Sequence, residues 1–140
     1  MIVLDTNVLS ELMRLSPESR VVAWLDAQEA SSVAITAITV AEILYGIQRL
    51  PEGRRRRALA SVAAAMFEED FAGRILAFDA EAAVCYADCV AASERAGRVV
   101  QMPDAQIGAI CLRHQAVLAT RNVKDFEPLG VQLIDPWQQA

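Results

Sequence analysis

Four carboxylates in this chain stand where chemistry could be done. Asp5 follows the apolar run Ile2-Val3-Leu4 and is followed by Thr6 and Asn7. Glu42 lies early in a segment with apolar residues at Val40, Ile43, Leu44 and Ile47, Asp104 comes directly after Met102-Pro103, and Asp125 closes Thr120-Arg121-Asn122-Val123-Lys124-Asp125. Singly, each has an ordinary explanation: an acid suits the first turn of a helix, and Thr39-x-x-Glu42 has the spacing of a capping box. Jointly they would crowd negative charge into one pocket, which is costly unless protons are shared or a cation neutralises it. Oxygen ligands without well-placed His or Cys suit Mg²⁺ or Mn²⁺, which retain waters and take a phosphate oxygen. The chemistry implied is phosphoryl transfer, with a metal-bound water as nucleophile. Histidine acid–base cleavage of RNA needs paired imidazoles, and His114 is the only histidine.

For these acids to meet, the chain must bring distant segments to one edge. Ile2-Val3-Leu4 does not alternate with polar residues, so it reads as a strand covered on both faces, with Asp5 at its carboxyl end. Further strands are expected at Val33 to Thr36, Arg74 to Asp79, Ala116 to Thr120 and Val131 to Ile134. Between them the sequence predicts a short helix over Asn7 to Met13 and a second with Ser16 as N-cap and Pro17 in its first turn. A third opens at Thr39, a long helical stretch runs from Arg54 to Phe71, an alanine-rich helix spans Asp79 to Ala96 and ends at Gly97, and a buried helix runs from Met102 to His114. Trp24 reads as core, and His114 as a core or capping residue. Strands alternating with helices predict an α/β fold with helices on both faces of a mainly parallel sheet. In such a sheet strands end, and the following helices begin, on the edge where ligands bind.

The 140 residues are 54% hydrophobic, enough for one domain with a real core, expected to cover 1–140. The start lacks the basic region of a signal peptide, and Glu42 interrupts the apolar run from Val33, so a soluble, cytoplasmic protein is expected. Cys85, Cys89 and Cys111 are odd in number and sit in apolar helical patterns, which argues for reduced thiols. With His114 they could nominally form a zinc site, but no short Cys-Cys knuckle is present. A formal charge of −5 argues against general coating of nucleic acid, yet Arg54, Arg55, Arg56 and Arg57 are consecutive. Four arginines over one helical turn either form a solvated face or offer contacts to phosphates.

The order Ile2-Val3-Leu4-Asp5-Thr6-Asn7, Thr39-Val40-Ala41-Glu42-Ile43-Leu44-Tyr45-Gly46, Pro103-Asp104-Ala105 and Thr120-Arg121-Asn122 to Asp125-Phe126 resembles the PIN-domain family. It is most similar to VapC-type (FitB-like) toxins. The resemblance implies a three-layer α/β/α domain that acts as an Mg²⁺- or Mn²⁺-dependent endoribonuclease. It further implies neutralisation by a VapB-like antitoxin, and a homodimer or a larger toxin–antitoxin assembly. It places Asp5, Glu42 and Asp104 among the acidic ligands, with Thr6 and Asn7 supporting the first acid by hydrogen bonds. Some members carry an acid where this chain has Asn122, which leaves Asp125 as a secondary acid and Thr120, Arg121 and Asn122 as residues beside the site or the substrate. Two other readings are a partner- or RNA-binding domain of the same fold without catalysis, and a dehalogenase-like phosphatase. The latter needs an aspartate two residues after the first, where this chain has Asn7.

Overall fold

The computed structural model describes residues 1–139. A five-stranded sheet has the order β3-β2-β1-β4-β5, built from β1 (Ile2–Leu4), β2 (Val33–Thr36), β3 (Ile75–Leu76), β4 (Val117–Ala119) and β5 (Gln132–Ile134). Every neighbouring pair is parallel, with Val3 opposite Ala34 on one side and opposite Leu118 on the other. Parallel pairing demands crossovers, and the helices supply them: α1 (Thr6–Leu12), α2 (Ser19–Asp26), α3 (Ala37–Gln48), α4 (Arg54–Ala65), α5 (Ala80–Arg95), α6 (Met102–His114) and α7 (Val123–Phe126).

The sheet is covered on both faces, and the central strand shows why its residues are apolar without alternation. Leu4 packs with Val8, Val21, Trp24, Ile43 and Ile47 under α1 to α4, whereas Val3 packs with Ile107, Cys111, Leu118 and Phe126 under α5 to α7. These two cores make the α/β/α sandwich. Strand order reverses at β1, since β2 lies on one side and β4 on the other. A crevice opens outside the strand ends at such a switch point.

Several element boundaries differ from the sequence expectation for identifiable reasons. Helix α3 begins at Ala37, because buried Thr36 caps it by accepting the Thr39 N–H at 3.1 Å. The predicted capping box at Thr39 therefore does not form, and Glu42 falls beyond the first turn with its carboxylate free for other partners. Helix α2 begins at Ser19 rather than at Pro17, and Ser16 does not cap it. The Glu18 N–H instead donates to the Glu11 carboxylate at 2.9 Å, tying the start of α2 to α1. The stretch from Arg54 leaves regular helix at Ala65 and widens into a π-helical turn over Met66–Asp70 before buried Phe71. The expected strand from Arg74 to Asp79 shortens to the edge pair Ile75–Leu76, and Asp79 instead caps α5 by accepting the Ala82 N–H at 2.9 Å. His114 is the half-buried last residue of α6, whose cap is Gln115 in the left-handed conformation.

Candidate active site

The structure brings Asp5, Glu42, Asp104 and Asn122 to one cavity of about 490 Å³, lined as well by Thr6, Asn7, Ser10, Glu11 and Arg14. Asp5 reaches it as the N-cap of α1, only 4% exposed. Its Oδ1 accepts the Thr6 N–H at 2.8 Å, and its Oδ2 accepts the Thr120 hydroxyl at 2.7 Å and the Asn7 amide at 3.2 Å. The backbone holds the same junction, because the Asp5 N–H donates to Ala119 O at 2.9 Å. Thr120, fully buried just after β4, in turn accepts the Asn122 N–H at 3.0 Å. The switch point thus becomes a lattice of short polar side chains around one carboxylate. Burial pushes the Asp5 carboxyl above its usual range in spite of these donors, and the charges of Glu42 and Asp125 add to the effect.

Glu42 is placed from the neighbouring crossover. The Thr6 hydroxyl donates to its Oε1 at 2.7 Å and shares a second hydrogen bond with buried Thr39 at 3.0 Å. Asp104, in the first turn of α6, is half-buried and differs from both. Burial pushes its carboxyl up to about 6, the charges of Asp5, Asp125 and Glu42 push the same way, and no hydrogen bond opposes them. Asp125 stays exposed on α7 outside the lining of the cavity, acting on it through charge. Arg121 is likewise outside; its N–H donates to Asn7 Oδ1 at 3.2 Å while its guanidinium lies over Trp137.

The arginine run divides. Arg54 and Arg55 line a second, larger cavity of about 1110 Å³ that shares Thr6, Ser10, Arg14 and Glu42 with the acidic one. Arg56 is hydrogen-bonded to Gln48, and Arg57 is exposed away from both cavities.

Glu11 and Arg14 were not anticipated. Glu11 is buried and takes Arg14 on both oxygens at 3.2 and 3.1 Å. The Glu18 N–H and then Arg14 hold its carboxyl below the usual range, the opposite of Asp5 and Asp104. A signal for both was present: Asn7, Ser10, Glu11 and Arg14 recur at helical spacing opposite apolar Val8 and Leu9, a polar stripe on the helix that leaves Asp5.

Among the described residues no group of three or more His, Cys, Asp or Glu is arranged to hold an ion by itself. Mg²⁺ asks for less, since one or two carboxylates plus waters and substrate oxygens complete its shell. Two desolvated carboxylates from different elements, one without an internal donor, fit that requirement. The cysteines offer nothing comparable: burial pushes the Cys111 thiol up to about 12 and raises Cys89 as well, which disfavours thiolate ligands.

A parallel sheet in this order, with acids gathered at its switch point, defines a PIN-type fold, and the chain belongs to the PIN domain family, which it matches over residues 2–129. It is 40% identical over 140 residues to VapC ribonuclease Y4jK of Sinorhizobium fredii, covering 100% of both chains. It is 38% identical to toxin FitB of Neisseria gonorrhoeae over 137 residues, 98% of this chain and 99% of that protein. Among solved structures, a chain of FitAB bound to an IR36 DNA fragment superposes with a TM-score of 0.93 at 37% identity, covering 100% of this chain and 98% of that one.

Proposed function

We propose that this chain is a metal-dependent endoribonuclease, the toxin of a toxin–antitoxin pair, which hydrolyses RNA phosphodiester bonds until a VapB-like antitoxin neutralises it. The observation that carries this reading is the convergence of Asp5, Glu42 and Asp104 from three crossovers on one cavity, with Asp5 and Asp104 both raised by burial and by their neighbours' charge. The relatives named as a VapC ribonuclease and a toxin support it. An Mg²⁺ or Mn²⁺ ion, when bound, supplies Lewis acidity at a phosphate oxygen and acidifies a bound water.

The chain's own residues divide the remaining work. Asp5 and Asp104 would hold the ion, and Glu42 stands beside them as a third oxygen donor or as acceptor of a proton from water. Thr6 orients Glu42, while Asn7 and Thr120 fix Asp5. Asn122 contributes an amide at the cavity wall and no charge, and Asp125 is secondary because it stays outside.

The larger cavity supports the antitoxin part of the reading. Its floor is apolar, with Met13, Ile43, Ile47 and Leu59, and it opens onto Glu42 beside the acids. An amphipathic segment could lie there and extend a basic side chain into the acidic cavity. The chain would act as a single domain in the cytoplasm, as a homodimer or within a larger toxin–antitoxin assembly. No helix among the described residues is long and apolar enough to cross a membrane.

The test is cleavage of a mixed RNA pool by purified, antitoxin-free protein with Mg²⁺ or Mn²⁺, with EDTA, and with Asp5→Asn. Metal-dependent products that vanish in both controls are expected. Equal cleavage by Asp5→Asn would sink the assigned site, and folded protein that binds RNA without cutting it would leave the non-catalytic reading of the fold.

A further inference from the structure

The reaction proposed above gives no role to an arginine that lies beside the acids yet turns away from them. Arg121 follows Thr120, whose hydroxyl holds Asp5, but its guanidinium carbon sits 4.9 Å from the ring centroid of Trp137. It is spent on no ion pair; those among the described residues join Arg14 to Glu11 and Arg113 to Glu81. Trp137 is held mainly through its backbone. Its main-chain N–H donates to Asp135 Oδ1 at 2.9 Å, Arg20 donates to its carbonyl at 3.1 Å, and the partly buried indole packs on the core under α1 and α2. Arg121 itself remains exposed.

The position of this stack matters as much as its order. Asn7 and Asn122, the residues that accept from Arg121 and follow it, both line the acidic cavity. Buried Glu11, which lines the same cavity, feels the charge of Arg121. A planar cation on a fixed aromatic ring therefore stands at the rim of the candidate cleavage site.

Guanidinium planes and indoles are the surfaces on which unpaired bases of single-stranded RNA stack, and Arg keeps its edge donors free while stacked. A phosphate contact alone would need neither a planar cation nor the ring under it. We propose that the Arg121–Trp137 stack is a nucleobase subsite that takes one unpaired base of the RNA strand whose phosphate lies at the acids. This rests on the ribonuclease reading and adds to it a contact with one splayed base beside the cut.

The experiment compares a short oligo(A) RNA with an abasic ribose-phosphate oligomer of the same length, measured on an Asp104→Asn background so that nothing is cut. Parent protein is expected to bind oligo(A) roughly tenfold more tightly than the abasic oligomer, the gain typical of one stacked base. Arg121→Lys keeps the charge and loses the plane. It should close most of that gap while leaving affinity for the abasic oligomer unchanged. Oligo(A), and not the abasic oligomer, should also quench Trp137 fluorescence, since the chain's other tryptophan, Trp24, is buried. An undiminished gap in Arg121→Lys overturns the subsite and leaves the ribonuclease standing. A parent that binds neither oligomer overturns both.

Discussion

Asp5 and Asp104 face the same cavity from two regions that treat a carboxylate in opposite ways. At the junction of β1 and β4, Asp5 is almost fully buried and receives donors from Thr6, Asn7 and Thr120. At the head of α6, Asp104 is half-buried and its carboxyl rises to about 6 with no donor to restrain it. Burial and neighbouring acids raise both groups. The difference teaches that one acid is positioned by hydrogen bonds, while the other carries a charge that no donor of the fold offsets. A site built this way is rigid at Asp5 and electrostatically uncompensated at Asp104.

The strongest way to break that contrast is to neutralise each acid in turn. Asp5→Asn and Asp104→Asn should each lower metal-dependent cleavage on the order of 10³-fold, as expected when a preorganised charge near the reacting phosphate is lost. Their stabilities should diverge. Metal-free Asp104→Asn should melt above the parent because repulsion is relieved and no hydrogen bond is broken. Asp5→Asn should melt at or below the parent, because an amide N–H₂ would face groups that now donate to a carboxylate. Identical melting shifts for the two variants would erase the distinction.

Thr120 carries the next effect. Its buried hydroxyl donates to Asp5 and accepts from Asn122 and Asn7, so Thr120→Val keeps the shape and removes all three bonds. A stability loss of about 1–3 kcal/mol is expected from the unsatisfied buried groups. Cleavage should fall by roughly 10–100-fold, the usual cost of losing a residue that orients a ligand. Cleavage at the parent's rate would show that Asp5 holds its place without the β4 side.

How far the sequence disclosed this can be followed residue by residue. The sandwich was legible because Ile2-Val3-Leu4 must be covered on both faces, and the acids were legible because Asp5 stands where a strand gives way to a helix and Asp104 in the first turn of another helix. The sequence misled where two local rules competed for one residue. Glu42 fits a capping box with Thr39, but Thr36 takes the Thr39 N–H first, and only tertiary placement brings Thr6 to Glu42. Glu11 was overlooked although Arg14 stands three residues on at helical spacing; what the linear order does hide is the Glu18 N–H, which meets Glu11 only after the chain has turned between α1 and α2. Nothing in the linear order says that Arg121 will stack on a tryptophan near the far end of the chain.

A smaller effect should appear in the stability of metal-free protein against pH. Between about 4 and about 6 the folded state holds a proton on Asp104 that the unfolded chain, titrating near 3.8, has released. Stability therefore falls as pH rises through that window, on the order of 1 kcal/mol after allowance for solvent screening, and Asp5 contributes with the same sign. Glu11 works the other way: its lowered carboxyl stabilises above its unfolded value of 4.5, and that contribution is lost as pH falls through its folded value. Melting curves in EDTA should thus decline from about pH 4 to 6, and Asp104→Asn should flatten the decline. Saturating Mg²⁺ should raise melting most at neutral pH, where Asp104 has lost its proton; an equal rise at pH 4 would separate ion binding from this carboxylate.

The smallest effect concerns the cations of α4 that line the adjoining cavity. If repulsion from an unfinished acidic cavity must be overcome for RNA to approach, the arginines on its flank should help and those beyond it should not. Arg54 and Arg55 line the adjoining cavity together with Arg14, whereas Arg57 is exposed outside it. Replacing Arg54 and Arg55 with Gln should weaken RNA binding and reduce the slope of log affinity against log salt by roughly 1 to 1.5, as for two lost contacts to single-stranded phosphates. Arg57→Gln should change neither quantity. Equal slopes in all variants would make the whole run a solvated helix face.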